Sequence, residues 1–400
     1  MEQKEETARL PLTGIRVLEL SQAVMGPTAG MVLADMGADV IRIEPTPQGD
    51  WTRHIKGFGT GFFPTFNRNK RSIILNLKSP EGMEILDKLI KTADVLIENY
   101  APGTIERLGF GYDRVSKLNP RLVFCSLKGF MPGPYENRPA LDEVCQMMGG
   151  LAYMTGPVGR PLRAGASVLD IMGGSYGVIG ILTALYDRER TGRGQQVLAT
   201  LFESVALLMA QNMAVAAITG KEPPPMPERG RSWSIYDLFD TADGSKVFVG
   251  ATSDAHWRRF CKSFGYDDLA ADARLATNDS RVDEREWLLP ELHRRLAELT
   301  KAEIMLKAEE ASIPFAPVAV PTDLFDDPHL KASGGLLETT LPDGRKTVFP
   351  KIPVRLSNYE FGLRRDPPPP GEGSEELLLS LGLDRERLAA LKKAGIVGPL

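Results

Sequence analysis

Residues 14–43 read GIRVLELSQAVMGPTAGMVLADMGADVIRI. Residues 14–20 have the length and apolar content of a short strand. Gly26-Pro27 opens a helix that runs to about Met36, with proline in the first turn, where its missing N–H costs nothing. Gly37-Ala38 ends that helix, and residues 39–43 form a second strand. Strand, helix and strand in so short a span make a βαβ unit, whose strands lie parallel and are covered on both faces. The pattern then repeats. Residues 72–77 read as a strand, Pro80 starts a helix, and residues 94–97 read as the next strand. Short helices follow near 103–108 and 112–118, and residues 122–127 make a further strand. This alternation predicts the α/β class, with a Rossmann-like, doubly wound large domain.

That architecture invites a nicotinamide-binding reading, because Gly26 to Gly30 follow the first strand and Glu44 ends the second. The fingerprint G-x-G-x-x-G is missing, however, and Val24 and Met25 stand where its first glycines belong. The reading is set aside.

A second distinctive stretch spans residues 163–197. An apolar lead-in (164–169) reaches one acid, Asp170, and a helix-patterned run follows with glycines at 173, 174, 177 and 180. It closes on Arg188-Glu189-Arg190 and the turn Thr191-Gly192-Arg193-Gly194. Asp before a helix is a favoured N-cap, and a helix N-terminus stabilises negative charge. On spacing alone Asp170 is therefore a cap that stays ionised near neutral pH.

Residues 201–218 then read as a buried helix, and Lys221 to Pro227 as a stiff, proline-rich linker. Apolar runs at 233–239 and 246–250 flank Asp243-Gly244, a strong hairpin signal. Amphipathic helices follow near 255–264, 284–299 and 301–311, the second kinking or restarting at Pro290. A second hairpin joins 336–341 to 347–349, prolines 367–370 form another linker, and residues 375–393 are helical. The division expected is 1–222 for the first part of the large domain, 223–330 for a smaller α+β domain, and 331–400 for a segment returning to the large domain.

Composition narrows the function. The 400 residues carry a net charge of −4, which leaves no basic footprint for nucleic acid or an anionic membrane. The first twelve residues lack the apolar core of a secretory signal, and the most apolar long run (197–218) contains Glu203, Gln211 and Asn212. Cys125, Cys145 and Cys261 are scattered, which points to a reducing, cytoplasmic setting. His54, His256, His293 and His329 stand alone, so no metal site is expected.

Taken in order, several blocks resemble the class III CoA-transferases (CaiB/BaiF type). This family includes formyl-CoA transferase, carnitine CoA-transferase, succinyl-CoA-dependent dicarboxylate CoA-transferases and α-methylacyl-CoA racemase. The blocks are residues 12–45, NRNKRSIILNLKSPEG at 67–82, DVLIENYAPGTIERLGFGYD at 94–113, LNPRLVFCSLKGF at 118–130, Asp170 with its glycine helix, RERTGRGQ at 188–195, and IPFAPV at 313–318. Each block is weak alone; together, in this order, they are specific.

The resemblance implies that Asp170 is the nucleophile of covalent catalysis through an acyl–aspartyl anhydride and an aspartyl-CoA thioester. Coenzyme A enters as acyl-CoA substrate, and no cofactor is held permanently. The partners implied are an acyl-CoA, best read as succinyl-CoA, and a carboxylic acid, a dicarboxylate among the options. The carried-over CoA-binding positions are Gln22, Ala23, Val24, Met25, Leu75, Asn76, Lys78, Asn99, Tyr100, Ala101, Arg107 and Leu141. Lys78 and Arg107 suit phosphates, and Arg42 with Lys70-Arg71 are further candidates. Pro45 stands where relatives carry an Arg after the second strand, and Gly373 stands where a Gly-Glu-His-Thr motif has its His. The family also implies an interlocked homodimer.

Racemases of this family need a proton-carrying His in the segment before the acid. Leu141 holds that place, and leucine moves no proton. A transferase is thus favoured over an epimerase, and Asp170 in its competent context argues against a non-catalytic CoA-binding protein. Arg229 and Arg231 are candidates to pair with the distal carboxylate of a dicarboxylic acid.

Overall fold

Six strands line up in one parallel sheet: β1 (Arg16–Leu20), β2 (Asp39–Glu44), β3 (Arg71–Ile74), β4 (Val95–Glu98), β5 (Val123–Lys128) and β6 (Gln196–Thr200). Their order is β3-β2-β1-β4-β5-β6, with every neighbouring pair parallel. The structure is a computed structural model and describes residues 9–228 and 232–398. The chain winds outward from β1 in one direction and from β4 in the other. A crevice therefore opens beyond the carboxyl ends of these two central strands.

Alternation along each strand explains why both faces are apolar. Val17, Val40, Val95 and Val123 point to one face, which is covered by α1 (Met25–Asp35). Leu18, Ile41, Leu96 and Phe124 point to the other, which is covered by α2 (Pro80–Lys91). Ser79 caps α2, accepting from the Gly82 N–H, and Pro80 sits in its first turn. The chain end returns to this second face: Leu377, Leu378, Leu388 and Leu391 are buried there, on two short helices (Ser374–Ser380 and Arg385–Lys393).

Between β5 and β6 lie α3 (Asp142–Met148) and the long α4 (Val168–Thr191). Glycines let α4 lie directly on its neighbours. A Cβ at Gly174 would come 2.6 Å from the Met25 carbonyl oxygen on α1, and one at Gly177 would come 2.7 Å from Leu127 on β5. A Cβ at Gly180 would meet Val197 on β6 at 2.4 Å. α4 is long and apolar enough to cross a membrane, but it packs its glycine face on α1 and the sheet.

The apolar run 197–218 differs from the single buried helix its sequence predicts. Its start is strand β6, paired to β5 from Phe124↔Gln196 to Lys128↔Thr200. The rest is α5 (Leu201–Leu208) and α6 (Ala210–Thr219), bent by 50°. α6 has no buried residue.

The chain divides into two compact units, one of residues up to Pro227 with His329 onward, the other of Glu228–Pro328. The smaller unit has an antiparallel sheet of β7 (Ile235–Asp240), β8 (Lys246–Ala251) and β9 (Phe315–Pro317). Its β7–β8 turn uses Gly244 at φ +72°, a backbone angle glycine adopts without strain. The helix expected to kink or restart at Pro290 is one element, Arg285–Leu296, with the proline inside it, so it does not restart there. β10 (Leu336–Thr340) and β11 (Lys346–Pro350) form the second hairpin.

Candidate active site

Asp170 is the third residue of α4, not its cap. The cap position belongs to Ser167, whose side chain makes no capping bond. The carboxylate that satisfies this helix end comes from Asp142, 28 residues earlier. Its Oδ2 accepts the Leu169 N–H at 2.8 Å and the Asp170 N–H at 3.2 Å. Its Oδ1 accepts from the Gln146 amide and from Arg163 Nη2 (3.4 Å). Gln146 in turn accepts the Ala164 N–H at 2.8 Å, tying α3 to the lead-in of α4.

The capping carboxylate leaves the Asp170 side chain free for chemistry, and it also changes its charge state. Burial, and next the negative charge of Asp142, push the Asp170 carboxyl up to about 7, with Arg163 opposing. The expectation of a cap that stays ionised near neutral pH is thereby corrected: Asp170 is not the cap, and its carboxyl titrates near neutrality. No thiolate competes with it nearby. Cys145, on α3, is buried and its thiol is pushed up to about 12.

Asp170, Gly173, Gly174 and Gly177 share one face of α4, by their spacing of three and four. That face meets Met25, since a Cβ at Gly173 would lie 2.4 Å from the Met25 methyl. Met25 is thus brought against the first turns of the helix that carries Asp170. Ala23 makes the turn from β1 into α1 with φ +60°, rare for a residue with a Cβ. Val24 occupies the cap of α1 and makes no side-chain capping bond; Pro27 has no N–H and the Thr28 N–H donates to the Val24 carbonyl (2.8 Å), which leaves the Met25 and Gly26 N–H groups without a side-chain cap.

Asn99 joins the same group. It accepts the Gln22 N–H (2.8 Å) and donates to the Gln22 carbonyl (2.9 Å), clamping the ends of β1 and β4 together. Trp51 donates to the Gln22 side chain at 2.9 Å. Ala101 is exposed on the bend beyond, and Arg107 is exposed on the helix Thr104–Arg107 that follows. Asn76 and Lys78 lie past the end of β3 on the same edge of the sheet, two strands from β1. Lys78 is exposed, so it and Arg107 remain available to a polyanion.

The other expected positions differ in burial. The Leu75 side chain is buried in the core, and its backbone bridges to Val397. Most of the Tyr100 ring packs against the α2-covered face, and burial pushes its hydroxyl up to about 12. Leu141 is 70% exposed at the cap of α3. Arg42 and Lys70 are fully buried and cannot reach a phosphate: Arg42 pairs with Glu19 and Asp50, and Lys70 pairs with Glu19 at 2.8 Å. Arg71 pairs with Asp39 at the amino end of the strands, on the far side of the sheet. Pro45 is exposed, and Gly373 has φ +91° at the cap of the Ser374–Ser380 helix, where a Cβ would be strained. Arg229 and Arg231 lie outside the described residues. Sequence reasoning missed Asp142, Gln146 and Arg163, which carry no local motif.

Residues 12–374 match CoA-transferase family III. The chain belongs to this family. It is 34% identical to a succinate–glutarate CoA-transferase of Agrobacterium fabrum, over 93% of this chain and 96% of that protein. It is 31% identical to a succinyl-CoA–D-citramalate CoA-transferase of Chloroflexus aurantiacus, over 97% of this chain and 98% of that protein. Among solved structures, a CaiB/BaiF family protein from Brucella suis is similar with a TM-score of 0.83 and 32% identity, covering 93% of this chain and all of that one. The mixed α/β fold with its six-stranded parallel sheet is therefore that of the CoA-transferase family.

Proposed function

We propose that this CoA-transferase moves CoA between an acyl-CoA and a carboxylic acid through covalent chemistry at Asp170. The observation that carries the reading is the position of Asp170: an acid in the first turn of α4, its helix end satisfied by Asp142, on the helix whose first turns meet Met25. The Asp170 carboxylate attacks the thioester carbon, forming an acyl–aspartyl anhydride and releasing CoA thiolate. The thiolate attacks the aspartyl carbonyl, which gives an aspartyl-CoA thioester and frees the first acid. The carboxylate of the second acid then attacks that thioester and again releases thiolate. The thiolate takes the new acyl group and restores Asp170. Each step exchanges one bond at one carbonyl, so no redox partner is required. The uncapped N–H groups of α1 are suitable donors for the oxyanions that form.

The Rossmann-like crevice holds CoA, with Gln22 to Met25, Asn76 and Asn99 lining it and Lys78 and Arg107 meeting its phosphates. The relatives named above act with succinyl-CoA or succinate and with dicarboxylic partners, which supports succinyl-CoA as donor and a dicarboxylate as acceptor. The protein works in the cytoplasm as an interlocked homodimer. An epimerase is disfavoured by Leu141 and by Asp142, whose two oxygens already accept four hydrogen bonds.

Incubation with succinyl-CoA and hydroxylamine tests the covalent step. A hydroxamate should form at Asp170 and be absent in Asp170→Ala. Normal turnover by a folded Asp170→Ala protein would end the proposal.

A further inference from the structure

We propose that Arg163 selects the substrate acid, its open guanidinium edge receiving the second carboxylate of a short dicarboxylic acid whose first carboxyl reacts at Asp170. The inference rests on the transferase reading of Asp170 and adds the residue that reads the far end of the acid. Arg163 is anchored on one side only. Its Nε donates to the Ala164 carbonyl (3.1 Å), and its Nη2 donates to the Ala166 carbonyl (3.1 Å) and to Asp142 Oδ1 (3.4 Å). Among the described residues, Nη1 has no acceptor within hydrogen-bonding distance. Its nearest oxygen partner is Glu143 Oε2, at 3.9 Å.

The anchoring fixes where that open edge lies. One carboxylate, Asp142, binds Arg163 through Oδ1 and the Asp170 N–H through Oδ2. Asp142 thus ties the Arg163 guanidinium to the backbone of the residue that carries the nucleophile, and Arg163 is near enough to oppose the rise in the Asp170 carboxyl. A fixed guanidinium suits a planar carboxylate better than a mobile ammonium does. The wall beside it suits the methylenes between the two carboxyls. The Arg163 guanidinium lies 5.8 Å from the centre of the Phe58 ring, which is 72% exposed and meets Phe62 edge-on at 5.1 Å. An apolar ring next to a cation with unused donors matches an acid that is apolar in the middle and charged at its end. The other cations near the crevice fit less well. Arg42 and Lys70 are buried in ion pairs, and Lys78 and Arg107 lie beyond β3 and β4.

Exchange between an acid and its own CoA thioester tests this without assuming a second substrate. Labelled succinate into succinyl-CoA and labelled butyrate into butyryl-CoA should be measured on the wild type, Arg163→Met and Arg163→Lys. Measured at pH 8.5, to limit the effect of losing the cation that opposes the rise in the Asp170 carboxyl, Arg163→Met should lose roughly tenfold more kcat/KM for succinate than for butyrate, the difference carried by KM. Arg163→Lys should recover part of the succinate activity. Equal losses for both acids would mean that Arg163 only shapes the lead-in of α4, and would overturn the proposal. A raised KM for both thioesters, with the acids unaffected, would assign Arg163 to CoA and overturn it too. Wild-type protein that exchanges neither acid and forms no hydroxamate would instead remove the transferase reading itself.

Discussion

Asp170 must be ionised to attack a thioester, yet burial and Asp142 hold its carboxyl near pH 7. The rate of hydroxamate formation should therefore fall as pH drops through about 7, measured from pH 5.5 to 8.5. The same shift makes a stability prediction. The folded-state value lies above the unfolded value of 3.8, so ionising Asp170 costs the folded chain. That cost is absent below about pH 4 and complete above about pH 7. Asp170→Asn should thus gain on the order of 1–3 kcal/mol in denaturant unfolding at pH 8, with the gain shrinking toward pH 4. Asp142→Asn removes a neighbouring negative charge, so the acid limb of the pH profile should move to lower pH. It also weakens the acceptor of two α4 N–H groups, at about 1 kcal/mol of stability. A limb that stays in place would show that Asp142 does not set the charge state of Asp170.

At the scale of elements, α4 is placed by what its glycines leave out. Gly173 and Gly174 are adjacent but should respond differently to alanine. At Gly173 the new Cβ meets the end of the Met25 side chain, which can swing aside. At Gly174 it meets the Met25 backbone carbonyl at 2.6 Å, so α1 or α4 must shift. Gly174→Ala should therefore cost about 1–3 kcal/mol and reduce turnover, while Gly173→Ala should cost under about 1 kcal/mol, compared by thermal unfolding and CoA transfer. The glycines are plain in the sequence, but what they approach is not. The first five strands are legible because each is a short apolar run bounded by turn residues. β6 is not, since Val197 to Ala199 continue into an apolar helix and become a strand only by pairing with β5. The break between α5 and α6 is hidden for the same reason: apolar residues continue across Met209 with no glycine or proline to mark it.

At the scale of the molecule, the larger unit exposes a broad set of apolar side chains. Ile179 and Tyr186 on α4, Leu207 on α5, and Met213 and Ile218 on α6 are all exposed. A soluble monomer rarely leaves so many uncovered. Light scattering should find twice the mass of one chain, and Ile179→Glu with Ile218→Glu should weaken that assembly. A monomeric wild type would remove the homodimer proposal. The CoA-transferase family and the α/β class were both readable from the chain. They rest on apolar periodicity, turn residues and blocks in a set order, which are local properties. Only the tertiary structure decided that Asp142 and Arg163 flank Asp170, that its carboxyl sits near pH 7, and that Arg42 and Lys70 are spent in buried ion pairs. Partners, burial and charge state depend on which distant residues packing brings together, and no local pattern records that.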